Sequence, residues 1–285
     1  MNTATSSPTA RADHAEQLPE DARTALRSLI LTLADTKRLL GIRYSDWMLG
    51  APTLESGIAA SSMAQDEWGH ARLTYALLSD FGDEPKTLEH EREVGDYRSA
   101  EVLDLRLGSW SEMIAMGLLL DTALAVQYAA LAESRYTPVH NRVQKLLDEE
   151  RFHFQHATGW TRRLGQVDAV RGEFRDALQR LLPAALRWFG HPDGSDERRL
   201  LEEEITSDGP GALRSRFLDT VAPVLESVGL AAELGLTLRD NEWLYEGELD
   251  WSGWDGSRRR AGGEGPDAET IARVRGDKNR AFLMD

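Results

Sequence analysis

Two copies of the pattern Glu-x-x-His constrain the fold of this chain more than any other feature of its sequence. The first joins Glu67 to His70 and the second joins Glu150 to His153. Residues three positions apart lie on one face of an α-helix, so each copy offers a carboxylate and an imidazole to a single point in space. We therefore expect two helices that turn these side chains toward one another.

The paired motifs indicate a metal site, because carboxylate oxygens and imidazole nitrogens are good ligands for iron and manganese. In one class of four-helix bundle, a Glu-x-x-His motif from each of two helices and a carboxylate from each of the other two hold a pair of metal ions. The sequence contains no cysteine, which excludes disulfides, thiolate ligands and iron–sulfur clusters. The alternative is that the Glu/His pairs bond one another across the bundle as buried polar pairs, without a metal.

A third helix offers one further carboxylate. Asp121 is the only acid between Glu112 and Glu133, and it stands in an otherwise apolar run. Burying a lone carboxylate is costly unless a metal, a partner or a proton neutralises it. Asp121 also precedes Glu150 by 29 residues, which leaves room for a helix, a turn and a return.

The first helix fits the pattern less well. Its expected ligand is Asp35, which stands 32 residues before Glu67, whereas a spacing near 30 selects Lys37. A protonated lysine has no lone pair to give to a metal. With Lys37 in this position the site would hold one metal, a weakly bound second, or none. A salt-bridged Asp35 is the alternative to a ligating one.

The rest of the chain predicts an all-α fold, an up-down helical bundle with additional C-terminal helices. We predict a disordered arm at residues 1–18, the bundle at residues 19–230 and a C-terminal extension at residues 231–285. No stretch shows the alternation of polar and apolar residues that is typical of a strand. With a loop at 83–100, the predicted helices cover residues 19–47, 53–81, 102–134, 137–165, 168–190, 195–206 and 211–228. In the extension, a Trp/Tyr-rich patch is expected to pack against the bundle or a partner, and the run of arginines at 258–260 to be a solvated linker.

Composition excludes several partners. The net charge is −15, so the chain has no basic surplus with which to release counterions from phosphates, and nucleic acid is not expected. The longest apolar runs, such as residues 116–120, are too short to span a membrane. The N-terminal residues lack the apolar core of a secretory signal. A cytoplasmic location is the default expectation.

At the residues described above, the chain resembles the phenylacetic acid catabolic family, which includes the A and C subunits of phenylacetyl-CoA 1,2-epoxidase. The resemblance covers roughly residues 22–228. It is carried by the segments Ala51-Pro52-Thr53-Leu54, Gln65-Asp66-Glu67-Trp68-Gly69-His70-Ala71, Leu120-Asp121 with Gln127, and Glu149-Glu150-Arg151-Phe152-His153. Helices 2 to 4 are similar to the catalytic A subunit, whereas helix 1 is more similar to the C subunit, a structural partner.

This resemblance implies a ferritin-like fold and a site that activates dioxygen for oxygen insertion into an aromatic acyl-CoA. It also implies electrons from a separate reductase, and pairing with a homologous subunit or with further copies of the chain. Two irons per chain are expected, with manganese or a mixed pair as alternatives. The expected ligands are Glu67, His70, Asp121, Glu150, His153 and Asp35.

Three functions remain open at this point. The first is a non-haem di-iron oxygenase component, phenylacetyl-CoA epoxidase-like. The second is a non-catalytic structural subunit that pairs with a catalytic chain, a hypothesis that Lys37 favours and the intact Glu/His pairs oppose. The third is an iron store, which would need a cage that nothing in the sequence indicates.

Overall fold

The computed structural model describes residues 10–104, 106–262 and 265–277. Its core is a bundle of four long helical stretches, as expected of a ferritin-like protein. The stretches are α1 (Glu20–Asp46), α2 (Leu54–Tyr75), the pair α4 (Trp110–Met116) and α5 (Thr122–Ala130), and α6 (Thr137–Gly165). The predicted all-α class is confirmed for these stretches.

The helix ends follow from local chemistry. Pro19 precedes α1, whose first turn carries Glu20 and Asp21, and acidic groups there interact favourably with the helix dipole. The Thr53 hydroxyl accepts a hydrogen bond from the backbone N–H of Ser56 and so caps α2. Pro138 lies in the first turn of α6, where its missing N–H costs nothing.

The third stretch differs from its prediction in three respects, and one of them is that it ends at Ala130 rather than near residue 134. It begins at Trp110, after Ser109 caps it, whereas the sequence predicts a start near residue 102; residues 101–103 form a short 3₁₀ turn and Leu105 lies outside the described residues. Between α4 and α5 the chain forms a π-helical segment, Gly117–Asp121.

This stretch also bears on the question of a membrane. Among the described residues, Trp110–Ala130 is long and apolar enough to cross a membrane by length and composition, contrary to the expectation from the apolar runs. Most of its residues are buried among the other helices, as in the central helix of a bundle that is hydrophobic all round.

The remaining helices surround the bundle, and a β-hairpin lies between the last two of them in the chain. The sequence pattern predicts neither the hairpin nor the helix Pro85–His90, which lies within the predicted loop at 83–100. The helices are α3 (Pro85–His90), α7 (Asp168–Arg187), α8 (Ser195–Glu202), α9 (Pro210–Glu226) and α10 (Ala268–Arg275). Strands β1 (Leu236–Arg239) and β2 (Glu242–Tyr245) pair antiparallel. The two residues between the strands, Asp240 and Asn241, both have positive φ, which is the conformation that a tight hairpin turn requires and that Asp and Asn tolerate.

The N-terminal segment packs more closely than expected. Ala12, Ala15 and Leu18 are buried, and the Asp80 carboxylate accepts hydrogen bonds from the Ala15 N–H at 2.5 Å and the Tyr136 hydroxyl at 2.7 Å. The described part of the predicted arm is therefore docked on the bundle, and residues 1–9 lie outside the described residues.

The arginine run of the C-terminal extension is not a solvated linker. Arg259 and Arg260 are both buried, and Arg259 donates hydrogen bonds to Gln127 Oε1 at 3.1 Å and to the Phe189 carbonyl at 3.0 Å. The extension thus packs against the bundle and inserts the side chains of Arg259 and Arg260 into it.

Candidate metal centre

Four of the predicted ligands meet at the centre of the bundle. One carboxylate oxygen each from Glu67, Asp121 and Glu150 and one ring nitrogen of His153 all lie within 4.8 Å of one another. The four side chains are buried and come from α2, the π-helical segment and α6. Four donors at this separation are close enough to share one metal ion.

The two imidazoles direct the same nitrogen into this cluster. His153 Nδ1 lies 3.0 Å from Asp121 Oδ2 and 3.3 Å from Glu67 Oε1. His70 Nδ1 lies 3.1 Å from Glu150 Oε1, although it makes no hydrogen bond there. His70 therefore adjoins the cluster as a fifth donor. Both Glu-x-x-His motifs contribute to one place, as their spacing predicts.

The opposite nitrogens are tied to acids across the helix interface. His70 Nε2 lies 2.7 Å from Glu149 Oε2, and His153 Nε2 lies 3.3 Å from Asp66 Oδ2. Each acid immediately precedes the glutamate of the other motif. Carboxylates in this position orient an imidazole and fix the nitrogen that faces a metal. The acid before each Glu-x-x-His is visible in the sequence, but the motif spacing alone assigns it no role.

Lys37 enters the cluster from α1. Its side chain is completely buried, and its ammonium Nζ lies 2.5 Å from Glu150 Oε1, 2.9 Å from Glu67 Oε1 and 3.1 Å from Asp121 Oδ1. The residue stands 30 positions before Glu67, which is the spacing that the sequence pattern selects for the helix 1 ligand.

Asp35, the expected sixth ligand, is not brought to the cluster. Its carboxylate accepts hydrogen bonds from the Tyr75 hydroxyl, the Arg92 guanidinium and, at 2.7 Å, the Arg98 backbone N–H. Residues two apart on an α-helix do not share a face, so α1 cannot direct both Asp35 and Lys37 at the same point. Arg92 lies in the segment between α3 and the third helical stretch, and no helical spacing indicates it as the partner.

The charges in the cluster shift one another's pKa. Burial disfavours the charged forms of Lys37 and His153, but the surrounding carboxylates, Asp121 foremost, outweigh it and raise the pKa of both. Burial would raise the pKa of Asp121, but Lys37 and His153 hold it well below its ordinary value. Burial and the neighbouring charge of Asp121 raise the pKa of Glu150 to about 7. Positive and negative charges therefore offset one another without a metal ion.

Tyr44 is a further residue of the site, and the sequence pattern does not single it out. Its buried hydroxyl donates a hydrogen bond of 2.9 Å to Asp121 Oδ2, and its ring packs edge-on against His153 at 6.1 Å between centroids. A Cβ at Gly117 would lie 3.0 Å from the Tyr44 hydroxyl. Gly117, at the start of the π-helical segment, thus makes room for the tyrosine that holds Asp121.

A cavity of about 490 Å³ adjoins the cluster. Asp121 and Glu150 form part of its wall, and apolar atoms make up most of the lining surface. Its other lining residues are Thr122, Ala125, Val126, Ala129, Gln144, Leu147, Asp148, Arg151, Phe154, Gln155 and Thr220. Cavities of this size and character accept small organic ligands.

The donor set fits one metal ion but not a pair. Glu67 Oε2 and His70 Nδ1 are buried without a hydrogen-bond partner, which is the state of donors that a metal would satisfy. A pair of metals, however, needs a carboxylate from the first helix, and α1 supplies the ammonium of Lys37 instead. Iron and manganese both accept these oxygen and nitrogen ligands.

Comparison with known proteins gives concordant matches. A family model described as "Phenylacetic acid catabolic protein" matches residues 1–249. Over 212 residues the chain is 26% identical to the A subunit of 1,2-phenylacetyl-CoA epoxidase from Escherichia coli (strain K12), a match that covers 72% of this chain and 68% of the relative. Over 196 residues it is 28% identical to the C subunit of the same enzyme, a match that covers 67% of this chain and 77% of the relative.

Proposed function

Because the chain belongs to the phenylacetic acid catabolic protein family, we propose that it is a component of an oxygenase of the phenylacetyl-CoA epoxidase type. The observation that carries the proposal is the convergence of both Glu-x-x-His motifs with Asp121 beside an apolar cavity. Fold alone would not support an activity. Donors of this kind, buried and backed by orienting acids, are arranged for metal chemistry.

In the catalytic form of this proposal, Glu67, His70, Asp121, Glu150 and His153 would hold the metal. Iron bound there would supply the activation of dioxygen. The protein's own part is to keep the ligands oriented through Asp66 and Glu149, to fix Asp121 through Tyr44, and to exclude water by burial. A separate reductase would supply electrons.

The cavity favours an aromatic acyl-CoA as the substrate class. Its apolar wall, which includes Val126, Leu147 and Phe154, suits an aromatic acyl group beside the cluster. Arg151 also lines the cavity and is largely exposed, so its guanidinium is available to the phosphates of a coenzyme. The two relatives are different subunits of one enzyme, and we therefore count another member of the family among the partners.

A second candidate role is that of a non-catalytic component of the same kind of complex. The observation that favours it is the ammonium of Lys37 at the position where the first helix should give a carboxylate. In such a bundle the ion pairs of Lys37 compensate the buried carboxylates, and no metal is needed for this. Such a chain would support a catalytic partner.

The experiment that separates the two roles measures phenylacetyl-CoA-dependent oxygen consumption. The purified chain is assayed with a reductase of the family and an electron donor, alone and after co-expression with a homologous chain. A catalytic chain loses activity when His153 is changed to Ala, and its metal content falls with it. A structural component keeps activity in the co-expressed complex after the same change. No oxygen consumption in any combination, with both proteins folded, would refute the oxygenase proposal.

A further inference from the structure

We propose that Lys37 is a tethered cation that takes the place of a metal ion on the α1 side of this cluster. The wild-type chain then holds at most one metal and is fully folded without any, and a carboxylate at position 37 converts the site into one for two metals. The inference rests on the metal-binding character of the cluster, not on the oxygenase activity itself.

The first step is that α1 has no carboxylate to offer to the cluster. The acids of this helix are Glu20, Asp21, Asp35 and Asp46. The first two lie at its beginning and the last is its final residue, more than a helical turn from the level of Lys37. Asp35 is committed to Arg92, Tyr75 and the Arg98 backbone. Without Lys37, α1 would therefore bring only the neutral hydroxyl of Tyr44 to the cluster.

The second step is that the ammonium and the carboxylates match in number and position. A lysine ammonium has three N–H donors and accepts nothing. Its three acceptors here come from three separate helical segments, and all lie between 2.5 and 3.1 Å from Nζ. The hydrogen-bonding capacity of the cation is thus fully used, and a metal ion could not share these oxygens at the same position.

The third step is energetic. Bringing a lysine into a dry interior is costly unless anions compensate it, and a cluster of three carboxylates is costly unless a cation compensates it. Lys37, Glu67, Asp121 and Glu150 are all buried, so each half of this arrangement needs the other. A divalent metal would play the same compensating part, and Lys37 makes it unnecessary.

The test compares the wild-type chain with Lys37→Glu and Lys37→Met. Each is purified without chelator, incubated with ferrous iron or Mn²⁺ without oxygen, desalted, and assayed for metal per folded chain. We expect at most one metal in the wild type and about two in Lys37→Glu. Lys86→Glu makes the same change of charge on the exposed surface of α3, and it should behave as the wild type.

Thermal unfolding supplies a second measurement. It uses the wild type and Lys37→Met, and so it remains informative if Lys37→Glu does not fold without metal. A chelator should leave the wild type folded, because Lys37 compensates the buried carboxylates without a metal. Lys37→Met removes the ammonium that contacts all three carboxylates, so its melting temperature should be lower. It should rise when Mn²⁺ is added, since a ligand that binds only the folded state stabilises it. The wild type should show a smaller rise.

Two results would overturn the inference. One is a pair of metals in the wild type, which would leave the oxygenase proposal standing. The other is a folded Lys37→Glu chain that holds no more metal than the wild type, together with a Lys37→Met chain that Mn²⁺ does not stabilise. Failure of oxygen consumption with the expected metal counts would instead refute the proposed function alone.

Discussion

Glu149 Oε2 lies 2.7 Å from His70 Nε2, across the interface between α6 and α2, while the next residue, Glu150, directs its carboxylate into the buried cluster. Two consecutive acids thus serve different purposes because successive helical residues point in directions about 100° apart. On α2, Asp66 and Glu67 are arranged in the same way: the Asp66 carboxylate contacts His153 Nε2, and Glu67 faces the cluster. The two motifs brace each other reciprocally.

This reciprocal bracing predicts an order of effects on stability. Glu149→Gln replaces a charge-assisted hydrogen bond by a neutral one and should lower the free energy of unfolding by about 1 kcal/mol. Asp66→Asn should cost less, because its oxygen lies farther from the imidazole, at 3.3 Å. Urea unfolding measures both. Asp148→Asn is the matched control, since Asp148 pairs with exposed Arg151 and contacts neither histidine; an equal loss in this control would contradict the proposed role.

Asp35 should contribute to the stability of the fold but not to metal binding. Asp35→Ala removes one partner of a buried ion pair and leaves Arg92 uncompensated, so the free energy of unfolding should fall by about 3 kcal/mol or more. Asp35→Asn keeps part of the hydrogen bonding and serves as the milder variant if the alanine chain does not fold. The metal content per folded chain should equal that of the wild type. Loss of metal from a folded Asp35→Asn chain would contradict this prediction and would identify Asp35 as a metal ligand.

If the cavity binds an acyl-CoA, a bulky residue in its wall should weaken that binding. Ala125 lines the cavity beside the cluster, and Ala125→Trp should fill much of its volume and weaken phenylacetyl-CoA binding about tenfold or more, about 1.4 kcal/mol. Isothermal titration calorimetry measures the affinity. Ala212→Trp, on the exposed surface of α9, should leave it unchanged. Equal affinities for Ala125→Trp and the wild type would place the ligand elsewhere.

The C-terminal extension should stabilise the bundle through Arg259. Its guanidinium lies 3.3 Å from Glu197 Oε1, and both side chains are nearly buried. Arg259→Ala leaves Glu197 without its cation and should lower the free energy of unfolding by about 3 kcal/mol. Arg258→Ala, which removes a bond to the Tyr97 carbonyl, should cost about 1 kcal/mol. Chemical denaturation compares the two, and the reverse order would show that the extension is held mainly by Arg258.

Local features of the structure were largely predictable from the sequence. The bounds of α1 and α6 agree with their predictions to within a residue or two, because apolar periodicity and end signals act over a few residues. The β-hairpin was not predicted, although Asp240 and Asn241 mark its turn. The π-helical segment at Gly117–Asp121 had no signal that periodicity detects, since one extra residue in a turn changes no residue type.

The sequence by itself determined α2 and α6 and the two faces that carry Glu67, His70, Glu150 and His153, because a spacing of three residues fixes which side chains share a helix face. Only the tertiary structure decided the rotation of α1, which turns Lys37 rather than Asp35 into the cluster. That choice depends on Arg92, Tyr75 and the Arg98 backbone, which compensate Asp35 from outside α1. A charged side chain is buried where opposite charges can compensate it, and those charges come from distant parts of the chain. No local sequence pattern shows where folding will place them.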